Sequence, residues 1–325
     1  MVKIVLHIGP HKTGSTYIQK QFSSHRETLR QASVYYPTTG VTLEWGHHGV
    51  AQQLMRNQPS EFLNLILSES EDFEKTIISS ENFDLLNYKQ VCVLGDQLDG
   101  LDVTVIYVYR RADELLLSNW QQLAKQGNTD PCSDFFFWHF SRPLRSPILN
   151  PCALLDYYRK AFSPRIRILD YETVRQTGDL AQAVLSLVAS NVQIPSSPEK
   201  VNVSPSVTDS EILRALNVIY SMRHRCSPRN RVLKVLTPAF KKAHGAQFAE
   251  LGNLIQACTV KVDIGGSYPI TTMQRRLSEV YADDIIGTLS SAKVVNSYDV
   301  PSSNWLLAPE AVRLITDLYD SAFPN

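Results

Sequence analysis

The sequence predicts an α/β protein: three layers, with a central parallel sheet between two layers of helices. Three observations carry that expectation. Short apolar runs recur, at Ile4-Val5-Leu6-His7-Ile8, at Thr76-Ile77-Ile78-Ser79-Ser80 and from Val103 to Tyr109, as buried strands do. Helical spacing follows the first run, where Ile18, Phe22 and Leu29 recur. Strand-like and helix-like segments then alternate, and alternation of this kind implies a parallel sheet covered on both faces.

In chain order the expected elements are strand 3–8, helix 16–32, a short strand at 33–36 and helices 48–57 and 60–69. Strand 76–80, helix 84–95, strand 103–109 and helix 112–126 come next. Segment 127–150 carries Pro131, Pro143, Pro147 and the cluster Phe135-Phe136-Phe137-Trp138. It is expected to be an irregular loop near a substrate, or else a small satellite core. Helix 151–162, strand 165–169 and helix 178–190 continue the fold. Thr208-x-x-Glu211 has the spacing of a capping box and predicts a helix running to about residue 223. Segment 224–270 and its approach are basic at first, with Arg223, Arg225, Arg229, Arg231, Lys234, Lys241 and Lys242. That suits a solvated helical face or a docking surface for an acidic substrate. Pro309 at a helix start, with Val312, Ile315 and Leu318, predicts a final amphipathic helix.

Composition sets bounds. A chain of 325 residues with 43% apolar content can bury a full core. The expected organisation is one domain over 1–325, with a core over 1–205 and a helical extension over 206–325. Net charge is zero, so nothing argues for a nucleic-acid or membrane surface. No apolar stretch reaches transmembrane length, and the first strand starts too early for a signal peptide. Cys92, Cys132, Cys152, Cys226 and Cys258 show no metal spacing and are read as reduced thiols of a cytoplasmic protein.

The most specific feature is the turn after the first strand, Gly9-Pro10-His11-Lys12-Thr13-Gly14-Ser15-Thr16-Tyr17. Glycines let a backbone approach an anion, and the free N–H groups at a helix start point at it. In the nucleotide-kinase pattern lysine directly follows the second glycine. Here Ser15 holds that place and Lys12 comes before Gly14. A second anion signal closes strand 103–109 at Arg110, with Ser118 eight residues further on. A guanidinium fork suits phosphate oxygens, and a serine adds a donor. Two anion sites on two strand–helix junctions fit a cofactor with phosphate groups at both ends.

These patterns resemble the sulfotransferases that use 3′-phosphoadenosine 5′-phosphosulfate (PAPS), in their bacterial carbohydrate-type form. Their loop usually runs Pro-Lys-[Ser/Thr]-Gly-[Ser/Thr]-[Ser/Thr]; this chain inserts His11 between Pro10 and Lys12. Their arginine and serine at the second junction hold the cofactor's 3′-phosphate. Thr76 to Phe83, Leu154 to Phe162 and Arg165 to Glu172 are similar to their later core segments, so the likeness runs from residue 3 to about residue 205.

The resemblance implies a P-loop nucleoside-triphosphate-hydrolase-like fold. It also implies sulfuryl transfer from PAPS to a hydroxyl on a carbohydrate or glycoconjugate, a small-molecule or glycan acceptor, releasing 3′-phosphoadenosine 5′-phosphate (PAP). Thr13, Gly14, Ser15 and Thr16 would cradle the 5′-phosphate, with His11 against the sulfate. Lys12 would neutralise charge on the departing oxygen. Arg110 and Ser118 would read the 3′-phosphate.

Glu81, closing the second core strand, is the expected base. Glu81-Asn82-Phe83-Asp84 echoes the family's Glu-x-His-Phe-Phe-Asp element without its histidine. His47 and His48 are rivals, because imidazole titrates near working pH. A structural role for His47, bonded to a main-chain carbonyl, stands beside a catalytic one, and His7 is read as a core histidine. No metal is expected.

Two other functions fit the same segments: a kinase-like ATP-dependent phosphotransferase of the same fold, or a non-catalytic PAP-binding protein. Asp170, at the end of strand 165–169, would serve the kinase as its Mg²⁺-orienting acid. Its plainer role is to cap the following turn.

Overall fold

The computed structural model describes residues 2–42, 45–196, 205–262, 264, 266–289 and 297–324. The described strands are β1 (Lys3–His7), β2 (Val34–Tyr35), β3 (Lys75–Ser79), β4 (Asp102–Tyr109), β5 (Arg165–Asp170), β6 (Thr259–Val262), β7 (Ile285–Ile286) and β8 (Tyr298–Pro301). The chain divides into two compact units that interleave along the sequence. One comprises Met1–Arg111, Asn150–Val201 and Thr272–Lys293; the other comprises Ala112–Leu149, Asn202–Thr271 and Val294–Asn325.

The first unit is built on a six-stranded sheet in the order β2-β3-β1-β4-β5-β7, with every neighbouring pair parallel. Its alternation explains the two helical layers. Ile4, Leu6 and Ile8 of the first strand segment join Val103, Val105, Tyr107 and Tyr109 on one face. Val5, Ile77, Ile106 and Val108 face the other way. Helices His48–Leu54, Glu61–Glu69, Tyr88–Gln97 and Pro151–Phe162 cover the first face. Helices Ser15–Ser24 and Leu180–Val188 cover the second. Both faces are apolar, so the strands read as continuous apolar runs.

Several boundaries differ from the sequence expectation. Helix 16–32 breaks at His25, whose φ of −111° departs from helical geometry, into Ser15–Ser24 and Arg26–Gln31. Helix 84–95 begins later, at Tyr88, because Leu86 is extended and Asn87 caps the helix in a capping box with Gln90. Glu81–Leu85 form a tight 3₁₀ turn instead. Helix 178–190 is Leu180–Val188, capped by Asp179, and a separate helix Tyr171–Thr177 precedes it.

The second unit is mainly helical, with β6 and β8 pairing antiparallel. Segment 127–150 is not irregular: Cys132–Ser141 form a helix behind Pro131. It buries Cys132, Phe136 and His139 and leaves Phe137 and Trp138 exposed. The capping box expected at Thr208 and Glu211 is absent. Ser206 caps helix Val207–His224 by accepting from the Asp209 N–H, and Glu211 turns into the core. The core here gathers Leu213, Leu216, Val232, Leu251, Trp305 and Leu318. The basic segment is partly tied down: Lys241 pairs with Asp209 at 2.8 Å, Arg223 pairs with Asp320, and Arg231 donates to the Tyr220 hydroxyl at 2.8 Å. The last helix, Pro309–Ala322, buries Ile315 and Leu318 but exposes Val312. Among the described residues no helix is long and apolar enough to cross a membrane.

Candidate functional site

Strands β3, β1 and β4 are neighbours and parallel, so their carboxyl ends open side by side. Ligands of open α/β sheets bind beyond such ends, where the strand order reverses. Glu81 follows β3, the glycine-bearing loop follows β1, and Arg110 follows β4.

The loop is held by its own backbone and by Arg110. Gly9 lies against the turn after β3: a Cβ on Gly9 would stand 3.1 Å from Cα and Cβ of Glu81. The Thr13 hydroxyl donates to the Pro10 carbonyl at 2.6 Å. Gly14, in the left-handed region at φ +81°, caps the helix that starts at Ser15, and a Cβ there would meet Leu180 at 2.6 Å. Glycine alone takes that backbone shape without strain. Gly14 offers no side-chain cap to this helix, and the first turn itself contains no acidic residue, which favours an anion at the helix start. The Ser15 Oγ is buried and has no hydrogen-bond partner among the described residues. Lys12 and Thr16 are half-buried beside it.

Arg110 donates from Nη1 to the Lys12 carbonyl at 2.8 Å. Its guanidinium lies over the Tyr171 ring at 5.0 Å and stands 3.9 Å from Glu172. Ser118 belongs to helix Ala112–Lys125 of the second unit, half-buried. Asp170 accepts from the Thr173 N–H at 2.7 Å and caps helix Tyr171–Thr177, its plainer role.

Glu81 sits at the centre of a polar cluster. Gln19, on the first helix, donates from Nε2 to Glu81 Oε2 at 2.8 Å. His48 Nε2 stands 3.9 Å from the same oxygen, and His48 Nδ1 bonds the Ser80 hydroxyl at 2.8 Å. Burial alone would raise the Glu81 carboxyl, but the charge of His48 and the Gln19 bond outweigh it and hold the group below its usual value.

His47 is committed to the main chain at both nitrogens. Nε2 donates to the Pro37 carbonyl at 3.1 Å, and Nδ1 accepts from the Ser79 N–H at 3.1 Å. It is fully buried, and desolvation pulls it down to about 4. His7, also fully buried, bonds Ser79 Oγ at 2.8 Å and is likewise pulled down to about 4 by desolvation. These two rings are neutral parts of the scaffold.

His11 is held by a residue that the sequence names only as the end of the Glu81-Asn82-Phe83-Asp84 element. The Asp84 carboxylate accepts from the His11 main-chain N–H and from Nδ1, each at 2.9 Å. Burial lowers the His11 value, but the bond and charge of Asp84, with Glu81 behind, raise it overall. Gln19 and Asp84 are the two partners of candidate site residues to which the sequence assigned no role. For Asp84 a signal existed: it stands three residues after Glu81, the repeat of a 3₁₀ turn. Gln19 carried none, because a polar residue beside Ile18 reads as a helix's solvent side.

Among the described residues no group of three His, Cys, Asp or Glu could hold a metal ion. No protein-family model matches the chain, and no curated protein matches it.

Proposed function

We propose that this protein is a PAPS-dependent sulfotransferase of the P-loop type, acting on a hydroxyl of a carbohydrate or glycoconjugate. The observation that carries the proposal is the loop after β1: an acid-free helix start without a side-chain cap, a left-handed Gly14 and a buried Ser15 hydroxyl with no hydrogen-bond partner among the described residues. That set fits the 5′-phosphate end of the cofactor, which supplies the activated sulfuryl group. The N–H groups of Thr13 to Thr16 bind and orient the anion. Lys12 offsets charge growing on the departing oxygen. Arg110 serves the 3′-phosphate.

Glu81 accepts the acceptor's proton. His48 and Gln19 keep it ionised and in place. His47 is left out of the reaction, since both its nitrogens are spent on the main chain. Five unpaired cysteines fit a reducing, cytoplasmic setting.

The test is a binding comparison of PAP, PAPS, ADP and ATP–Mg²⁺ by thermal shift. PAP should protect more than ADP, which carries its second phosphate on the 5′ side and has none at the 3′ position. Arg110→Ala should erase about 2–3 kcal/mol of that preference, the worth of a lost charge-assisted contact. The ratio matters, because Arg110 also tethers the loop through the Lys12 carbonyl and its loss weakens both ligands together. Preference for ATP–Mg²⁺ would move the protein to the kinase reading. PAP binding without sulfuryl transfer to any acceptor would make it a binding protein.

A further inference from the structure

The loop carries a histidine–aspartate pair that the proposed reaction does not use. His11 is doubly fixed by Asp84, through its main-chain N–H and through Nδ1, over 73 residues of chain. With Nδ1–H on the carboxylate, Nε2 has no protein partner among the described residues, and the ring stays 31% exposed beside Lys12. Asp84 is 13% exposed and belongs to the same 3₁₀ turn as Glu81.

We propose that His11, held by Asp84, binds the cofactor's anionic end as an imidazolium, so that a divalent anion entering this loop takes up a proton. The inference rests on the loop being the anion site described above. It assigns the loop a second cation next to Lys12 and gives Asp84 the role of a positioning residue. The groups facing the ring are Asp84 and Glu81, both of which favour its charge, and Lys12, which opposes it. Two carboxylates against one ammonium favour the charged ring before any ligand arrives, in spite of burial.

Linkage then sets the sign. A bound dianion raises the ring's affinity for its proton further. Between the free and bound values each anion bound carries in a proton, and affinity falls as pH rises, by up to about tenfold per unit for one proton. A neutral His11 that merely props the loop predicts no such coupling.

Calorimetric titration with inorganic sulfate and with PAP, from pH 6 to 8.5 in buffers of different ionisation enthalpy, reads the coupling directly. Sulfate does not titrate in this range, so any pH dependence of its binding belongs to the protein. The expected result is proton uptake approaching one per sulfate, with affinity falling as pH rises. His11→Gln should abolish the uptake and flatten the profile. Asp84→Asn should move the fall in affinity to lower pH while keeping the uptake at the acid end. PAP gives the same quantity as the difference between wild type and His11→Gln, since its own phosphates titrate alike in both. PAP binding without His11-dependent uptake overturns this inference and leaves the sulfotransferase reading standing. Failure of both anions to bind at pH 6 overturns the two together.

Discussion

Glu81 and Glu211 are both buried glutamates, one in each unit, and they are held in opposite ways. Glu211 is fully buried and saturated: Arg214 donates to it from Nε at 2.8 Å and Nη2 at 2.6 Å, and the Trp305 indole adds a third bond at 2.9 Å. Arg214 in turn donates to the Thr129 carbonyl at 3.1 Å. Glu81 has Gln19 at 2.8 Å and the His48 ring at 3.9 Å, with no guanidinium on it among the described residues. A saturated ion pair has no capacity left for a substrate and acts on stability. A carboxylate kept ionised by longer, weaker contacts retains lone pairs that a substrate hydroxyl can use. Burial alone does not separate the two; the partners do.

The largest effect tests the catalytic side of this contrast. Glu81→Gln keeps size and polarity and deletes basicity, so sulfuryl transfer from PAPS, followed as PAP release, should fall by roughly 10²–10⁴ while PAP affinity holds. A near-normal rate would shift the proton to His48. Arg214→Ala tests the structural side. It strands a buried charge and should cost about 3–5 kcal/mol in urea unfolding, with PAP affinity of the folded protein unchanged. Tolerance of that substitution would erase the distinction between the two glutamates.

A smaller effect comes from the histidines around the site. His7 and His47 are pulled down to about 4 by burial, whereas an unfolded histidine binds its proton near 6.5. Above that pH they contribute no pH dependence. As pH falls through the window from 6.5 to about 4 the unfolded chain takes up protons that the native state refuses. Stability should therefore drop by about 1.4 kcal/mol per pH unit per ring, or about 2 kcal/mol each at pH 5. His11 has the opposite sign: its raised value contributes stability below the unfolded value that is lost as pH rises through its native one. Urea midpoints at pH 7.5, 6 and 5 would show the two buried rings dominating. A midpoint flat across this range would mean that neither ring is as dry as its packing implies.

Much of the sheet was legible because strands buried on both faces have to be apolar at every position, and Ile4 to Ile8 and Val103 to Tyr109 say so locally. The turn from Gly9 to Thr16 was legible for the same reason: a left-handed glycine and an uncapped helix start are properties of a few adjacent residues. Misreadings occurred where two local signals compete. Thr208 and Glu211 have the spacing of a cap, but Ser206 lies two residues earlier and takes the N–H of Asp209, freeing Glu211 to enter the core. The aromatic run at Phe135 looked like a loop beside its prolines, yet Pro131 simply starts a helix.

The partners at the site lie 62 residues apart for Gln19 and Glu81, 73 for His11 and Asp84, and 32 for His48 and Ser80. They meet because β3 takes its place between β1 and β2, an order that no local pattern contains. Periodicity records which face of an element is dry, since every residue of the element answers to the same backbone geometry. Which carboxylate meets an arginine, and which meets only an amide and a ring, depends on strand order and loop length together. That is why Glu81 and Glu211 look alike in the chain and differ in the folded protein.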